Sequence, residues 1–271
     1  KLYTWEGTIN IKNERYKLDQ NPIDSTCDCP ACRSFSRAYV RHLLTAGEML
    51  GEVLCANRYI LDKGLPVEAG QTPRGHNIVL MGSGEPFDNY DNVVKFLRIL
   101  RMEGGLCIGM RSVSLSTCGL VPNMRRFAEE NLPLTLTISL HAPNDEIRQQ
   151  TMPIAKAYSM EQLMAACRNY VEKTGRRIIF EYALVCGVNC EEKHAVELAS
   201  KLRGLQCHVN LIPLNDVKER NLRAPSKQEV EAFLKRLTLK NISATVRREM
   251  GADIEGACGQ LRRKVLSEQA D

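Results

Sequence analysis

Long apolar runs are missing from this sequence. No stretch of about 18 apolar residues occurs, so a helical membrane span is not supported. A charged start leading into an apolar stretch is missing as well, which leaves no secretory signal and makes the cytoplasm the expected compartment. Charge of one sign is not in large excess: 37 basic against 32 acidic residues give a formal +5. A balance that small permits nucleic-acid binding without demanding it. No self-similarity recurs at periods of about 20 to 50 residues beyond an alternation of strands and helices, and no segment is of low complexity. A disulfide framework is not indicated either, because eleven cysteines is an odd count. Three of them, Cys27, Cys29 and Cys32, form a Cys-x-Cys-x2-Cys cluster that points to metal or redox chemistry in a reducing compartment. The other eight are scattered and read mostly as small buried hydrophobes. The chain begins at Lys1, so a fragment or trimmed product is expected.

What is present is a repeating βα pattern from about residue 77 onward. Strands are predicted over 77–81, 112–116, 134–139, 177–185, 208–214 and 243–247, where apolar runs match strand length and composition. Helices are predicted over 91–102, 160–172, 192–203 and 227–238, where apolar residues recur at helical spacing. Right-handed crossovers between parallel strands then give an α/β fold, a partial TIM-type (β/α) barrel. Residues 1–60 read differently: a β-like start over 8–12, a turn-rich stretch to Pro30, and a helix over about 34–54. A boundary falls near 45–60, dividing the chain into a 1–46 segment and a 47–271 core.

In such barrels ligands gather at the C-terminal ends of the strands, and the polar motifs fall there. Val79-Leu-Met-Gly-Ser-Gly-Glu-Pro86 ends a strand in glycines that let a ligand approach the backbone, followed by a carboxylate able to bind an ammonium. Ser116-Thr-Cys-Gly119, Ser139-Leu-His-Ala-Pro-Asn144 and Asn215 follow later strands. Each is weak alone: a glycine pair is as often a plain turn, strand-end hydroxyls often cap helices, and a lone histidine is more often structural. Their recurrence on successive βα units directs them to one mouth.

Five stretches together resemble the signatures of the RlmN family of radical S-adenosylmethionine (SAM) RNA methyltransferases. They are Met81-Gly-Ser-Gly-Glu-Pro-Phe-Asp-Asn-Tyr-Asp-Asn92, Ser139-Leu-His-Ala-Pro-Asn-Asp-Glu146, Phe180-Glu-Tyr182, Val209-Asn-Leu-Ile-Pro213 and Ala257-Cys-Gly-Gln-Leu261. The resemblance runs in order from about residue 45 to about 266. The related resistance methyltransferases called Cfr share it. It implies methylation of carbon 2 of adenine in 23S rRNA, with tRNA as a second candidate partner and an electron donor to the cofactor. That carbon lies between two ring nitrogens and is too electron-poor to attack the methyl of SAM directly, so a radical route is implied. SAM and a [4Fe-4S] cluster are the implied cofactors, three thiolates leaving one iron open for SAM. Position by position, Gly84, Glu85, Ser116, Ser139, Leu140, His141 and Asn215 match the SAM-contacting places, and Cys258 matches the cysteine that first accepts the methyl. As an isolated residue Cys258 would read as a buried small side chain.

The first 45 to 55 residues resemble something else, the C-terminal zinc region of tRNA-guanine transglycosylases, through Gly7-Thr-Ile-Asn-Ile-Lys-Asn13 and the run from Cys27 to Leu43. There the three cysteines would join a histidine around zinc, but Arg58 holds the histidine's place, with His42 or Cys55 as substitutes. In the radical SAM frame Cys29 and Cys32 match the second and third cluster cysteines, and Ser25 stands at the first, two residues before Cys27. The two resemblances meet within residues 43–51. Two further readings stay open here: a catalytically inactive RNA-binding chimera with a zinc-type cluster, and a transglycosylase remnant.

Overall fold

The computed structural model describes residues 2–4, 7–11, 13–16, 18–27, 36–38, 46–63, 77–81, 84–103, 106–214 and 223–247. They fall into two units, one taking in residues 77–87 and 108–249, the other drawn from residues 1–76, 88–107 and 250–271.

In the second unit, β1 (Leu2–Thr4) and β2 (Gly7–Ile9) pair antiparallel, Leu2 opposite Ile9. Ile11 and Tyr16 are buried beyond them. Backbone bonds from Arg37 N to Asn21 O (2.8 Å) and from Ala38 N to Asp19 O (2.8 Å) close the turn-rich stretch that follows. Helix α1 spans Ala46–Asp62 and packs on α2, Tyr90–Arg101. Of the helix expected over 34–54, residues 39–45 lie outside the described residues, and the part from Ala46 runs on to Asp62: between Gly51 and Gly64 no glycine or proline interrupts it.

The larger unit is a parallel sheet whose six strands lie in chain order: β3 (Ile78–Leu80), β4 (Val113–Thr117), β5 (Thr135–Ser139), β6 (Ile178–Leu184), β7 (Cys207–Pro213) and β8 (Ala244–Val246). All six predicted strands are present and the barrel is partial, because β3 and β8 are sheet edges rather than a bonded pair. Five helices of this unit are α3 (Val121–Ala128), α4 (Asp145–Thr151), α5 (Met160–Thr174), α6 (Glu192–Leu202) and α7 (Lys227–Leu239). Their starts are set by local chemistry. Ser159 and Ser226 form capping boxes with Gln162 and Glu229, and Asn144 Oδ1 accepts from Ile147 N at 3.0 Å. Gly175, with φ of 64°, ends α5 in the left-handed conformation that glycine reaches without strain.

Strand alternation divides the sheet into two chemically different faces. Leu115, Leu136, Ile138, Phe180, Tyr182, Val209 and Leu211 form the apolar face, each fully buried and contributing roughly 1.5–3 kcal/mol. Helices α3 and α5 pack together, as do α6 and α7. Phe127 joins Phe87 (centroids 5.3 Å apart) and Tyr170 (6.1 Å), while Tyr182 meets Phe233 at 5.4 Å. The other face carries Ser114, Ser116, Ser139, Glu181, His208 and Asn210. Parallel register aligns them in rows, one being Ser139, Glu181, Asn210 and Thr245.

Candidate functional site

At the end of β3, Gly84 has φ of 114°, a conformation that a side chain would strain, although a Cβ there would meet nothing within 4 Å. The glycine is needed for the turn of the chain rather than for space. The turn aims Glu85 at β4. Its Oε1 accepts from Phe87 N at 3.0 Å and its Oε2 from Cys118 N at 2.8 Å, so one carboxylate ties two strand ends together. A carboxylate offers about four lone-pair sites, so two remain for a cationic ligand. Ser116 lies on the polar face of β4, in register with Thr137.

The Ser139-Leu140-His141 run ends β5. Backbone N–H groups of Leu140 and His141 both donate to Glu181 O, at 3.0 and 3.2 Å, and the Leu140 side chain is fully buried. His141 has φ of 57°, uncommon outside glycine and asparagine. Ala183 N donates to His141 Nδ1 at 3.0 Å. An amide can only donate, so Nδ1 carries no proton and the neutral ring holds its one proton on Nε2. Burial, aided by the Arg148 cation, pushes the ring's pKa down to about 4. His141 is therefore neutral at physiological pH and presents an Nε2–H donor.

Two residues that hold this mouth together escaped sequence reasoning. Arg148 is fully buried; its Nη2 donates to Cys118 O at 2.7 Å and to Ser139 O at 3.4 Å, and its Nε to Leu140 O at 3.3 Å. Nη1 is buried without a hydrogen bond. One guanidinium thus braces the ends of β4 and β5. Asn189 is buried as well: Nδ2 donates to His141 O (2.8 Å) and Ala183 O (2.7 Å), and Oδ1 accepts from Val185 N (2.7 Å). Neither falls in a strand end or motif singled out in the sequence; only the Ala-Pro-Asn144 run shortly before Arg148 hints at a built corner.

The structure thus brings Gly84, Glu85, Ser116, Ser139, Leu140 and His141 to successive strand ends of one sheet. Asn215, Cys29, Cys32 and Cys258 lie outside the described residues. Cys27 is half-buried and Ser25 exposed. Among the described residues no group of three metal-binding side chains comes together. Arg58, at the place of the zinc histidine, pairs with Asp62 at 3.0 Å on the exposed face of α1. It offers a metal no lone pair. Of Cys55 and His42, the substitutes, Cys55 is exposed on the same helix and His42 lies outside the described residues. Among the described residues no helix is long and apolar enough to cross a membrane.

Comparison with known proteins gives two matches along the chain. Residues 67–199 match the model of the Radical SAM superfamily, and residues 1–59 that of Queuine tRNA-ribosyltransferase. A probable dual-specificity RNA methyltransferase RlmN of Clostridium tetani is 52% identical over 238 residues, 88% of this chain. The chain spans only 65% of that relative's length. A radical SAM methyltransferase structure from Sphaerobacter thermophilus superposes with a TM-score of 0.71 at 46% identity, over 80% of this chain and 61% of that one. The RlmN of Caldanaerobacter subterraneus is 50% identical over 94% of this chain, which covers 72% of it. With half its residues shared over nearly its whole length, the chain belongs to the RlmN family of radical SAM methyltransferases.

Proposed function

We propose that this chain is the core of an RNA methyltransferase that places a methyl on carbon 2 of adenine in 23S rRNA, with tRNA as a second substrate. Identity of about half the residues to RlmN proteins over 88% and 94% of the chain carries the reading. The strand-end donor set supports it. Glu85 keeps lone pairs for the ammonium of SAM, Ser116 and Ser139 offer hydroxyls, and His141 offers a fixed N–H. Asn215 completes the set by resemblance. When bound, SAM and a [4Fe-4S] cluster would supply the methyl and the one-electron chemistry that carbon 2 demands, with an external electron donor. Cys258, as a thiolate, would take the methyl and present it to the base.

Protein made in cells fed methyl-labelled methionine tests this by peptide mass spectrometry. A labelled methyl on Cys258 is the expected result; a label on another cysteine with Cys258 bare would overturn its role. Loss of SAM affinity in Glu85→Ala, measured by equilibrium dialysis, is the companion result.

The match of residues 1–59 to Queuine tRNA-ribosyltransferase favours a second reading for the cysteine cluster. In it Cys27, Cys29 and Cys32 hold zinc, and the core is an inactive RNA-binding module. Metal analysis after anaerobic preparation separates the two: about four irons per chain supports the methyltransferase, and about one zinc without iron the alternative. Ser25→Cys restores a thiolate at the first cluster place and is expected to raise iron content.

A further inference from the structure

Glu85 is not the only carboxylate at this mouth. Glu181 sits on β6 with its side chain on the polar face, opposite in direction to the fully buried Phe180 and Tyr182. Register sets Ser139 beside it on β5 and Asn210 beside it on β7. Its carbonyl accepts the N–H groups of both Leu140 and His141, so the Ser139–His141 run is fastened to this residue.

The state of the carboxylate is unusual. It is half-buried, burial holds its pKa above the ordinary carboxylate range, and the charge of Arg247 only partly opposes this. Yet neither oxygen accepts a hydrogen bond from any described residue, whereas both oxygens of Glu85 are used by backbone N–H groups. The Glu181 oxygens are not among the buried unpaired atoms, so water reaches them and their lone pairs are open to a ligand that brings donors.

Position narrows the ligand group. Neighbouring strands lie about 4.8 Å apart, so β6 is roughly 14 Å across the sheet from β3. A SAM molecule held by its ammonium at Glu85 would have β4, β5 and β6 in order along the sheet to receive the rest of the ligand. Two adjacent donors match the two oxygens of a carboxylate better than one, and the vicinal hydroxyls of ribose are such a pair; carboxylates read ribose hydroxyls in this way in dinucleotide folds. Asn210 lies beside Glu181 in register on β7, and His141 follows the register partner Ser139 on β5.

We infer that Glu181 is a further ligand-contacting residue of this site, its carboxylate accepting hydrogen bonds from the ribose hydroxyls of SAM. The inference rests on the SAM-site reading above. The experiment measures S-adenosylhomocysteine and its 2′-deoxy analogue binding to the 271-residue chain by equilibrium dialysis, in wild type, Glu181→Gln and Glu181→Ala. Glu181→Ala is expected to weaken S-adenosylhomocysteine about tenfold or more, as for hydrogen bonds to a charged group. The same change should alter binding of the 2′-deoxy analogue less than about threefold, because that ligand has already lost a donor. Glu181→Gln, which keeps one acceptor and the shape, should fall between. An equal loss for both ligands, in either variant, would mean that Glu181 shapes the pocket or reads the adenine, and would overturn the inference. Unchanged affinity would overturn it too while leaving the SAM site standing. Failure of the wild-type chain to bind either ligand would instead sink the SAM-site reading, and this inference with it.

Discussion

Replacing Arg148 by methionine measures what a buried guanidinium is worth at the mouth of this sheet. The side chain makes one short bond, to Cys118 O at 2.7 Å, and two long ones, to Leu140 O at 3.3 Å and Ser139 O at 3.4 Å. A bond from a charged donor is worth about 1.5–3 kcal/mol when short, and the long pair adds roughly 1 kcal/mol more. Against this stands the burial of a cation with Nη1 unpaired, which costs about 1–3 kcal/mol. Methionine fills similar volume and removes both terms. The balance is a loss of about 1–2 kcal/mol, or a drop in melting temperature of roughly 2–8 °C for a protein of this size. Far-UV circular dichroism melts give the number. A second signal accompanies it: Arg148 helps keep the His141 ring deprotonated, so the variant's imidazole should titrate at higher pH, which NMR reads directly. A melting temperature equal to or above wild type would refute the reasoning, because desolvation of the cation would then outweigh all three bonds.

Gly119→Ala is expected to destabilise the fold by about 2 kcal/mol or more in urea titrations, since φ is 98° and a Cβ would lie 2.9 Å from Leu163 Cδ1. His141 has a folded pKa of about 4 against an ordinary 6.5, so between these values the unfolded chain binds a proton that the folded one refuses. Its contribution is complete above pH 6.5 and is lost as pH falls toward 4, at most about 3 kcal/mol. In His141→Asn, where asparagine tolerates the left-handed backbone, that part of the pH slope should vanish; an unchanged slope would contradict the assignment. Iodoacetamide should label exposed Cys55 and Cys107 in the native protein but reach the buried Cys167, whose thiol burial pushes up, only after unfolding. Rapid native labelling of Cys167 would show that the core opens locally.

The strands of the parallel sheet were legible because each is bounded by turn chemistry and rich in apolar residues; each of its six predicted strands overlaps an observed one within two residues at each end, whereas the start expected over 8–12 ends at Ile9 and β1 was not foreseen. The four predicted helices of 11 to 15 residues were legible for the same reason. Helices α3 and α4 were not foreseen, since eight and seven residues give only two turns in which a 3.6-residue period can show. At the site, Gly84, Glu85 and the Ser139–His141 run were legible as motifs with ordinary strand-end meaning. Arg148, Asn189 and the open carboxylate of Glu181 were not. Their roles consist of bonds to backbone carbonyls and of register with neighbouring strands, and neither leaves a mark on residue type.

The chain-order sheet has a consequence for how such a protein can be rearranged. Among the described residues its ladder joins β3 through β8, and the first of those strands begins at Ile78. Every rung of that ladder therefore lies downstream of residues 1–59, the stretch that matches the Queuine tRNA-ribosyltransferase model. Exchange of that stretch would rewrite none of the strand pairings described in the sheet. The described sheet and the segment carrying Cys27, Cys29 and Cys32 are thus written in separate, non-overlapping stretches of the chain.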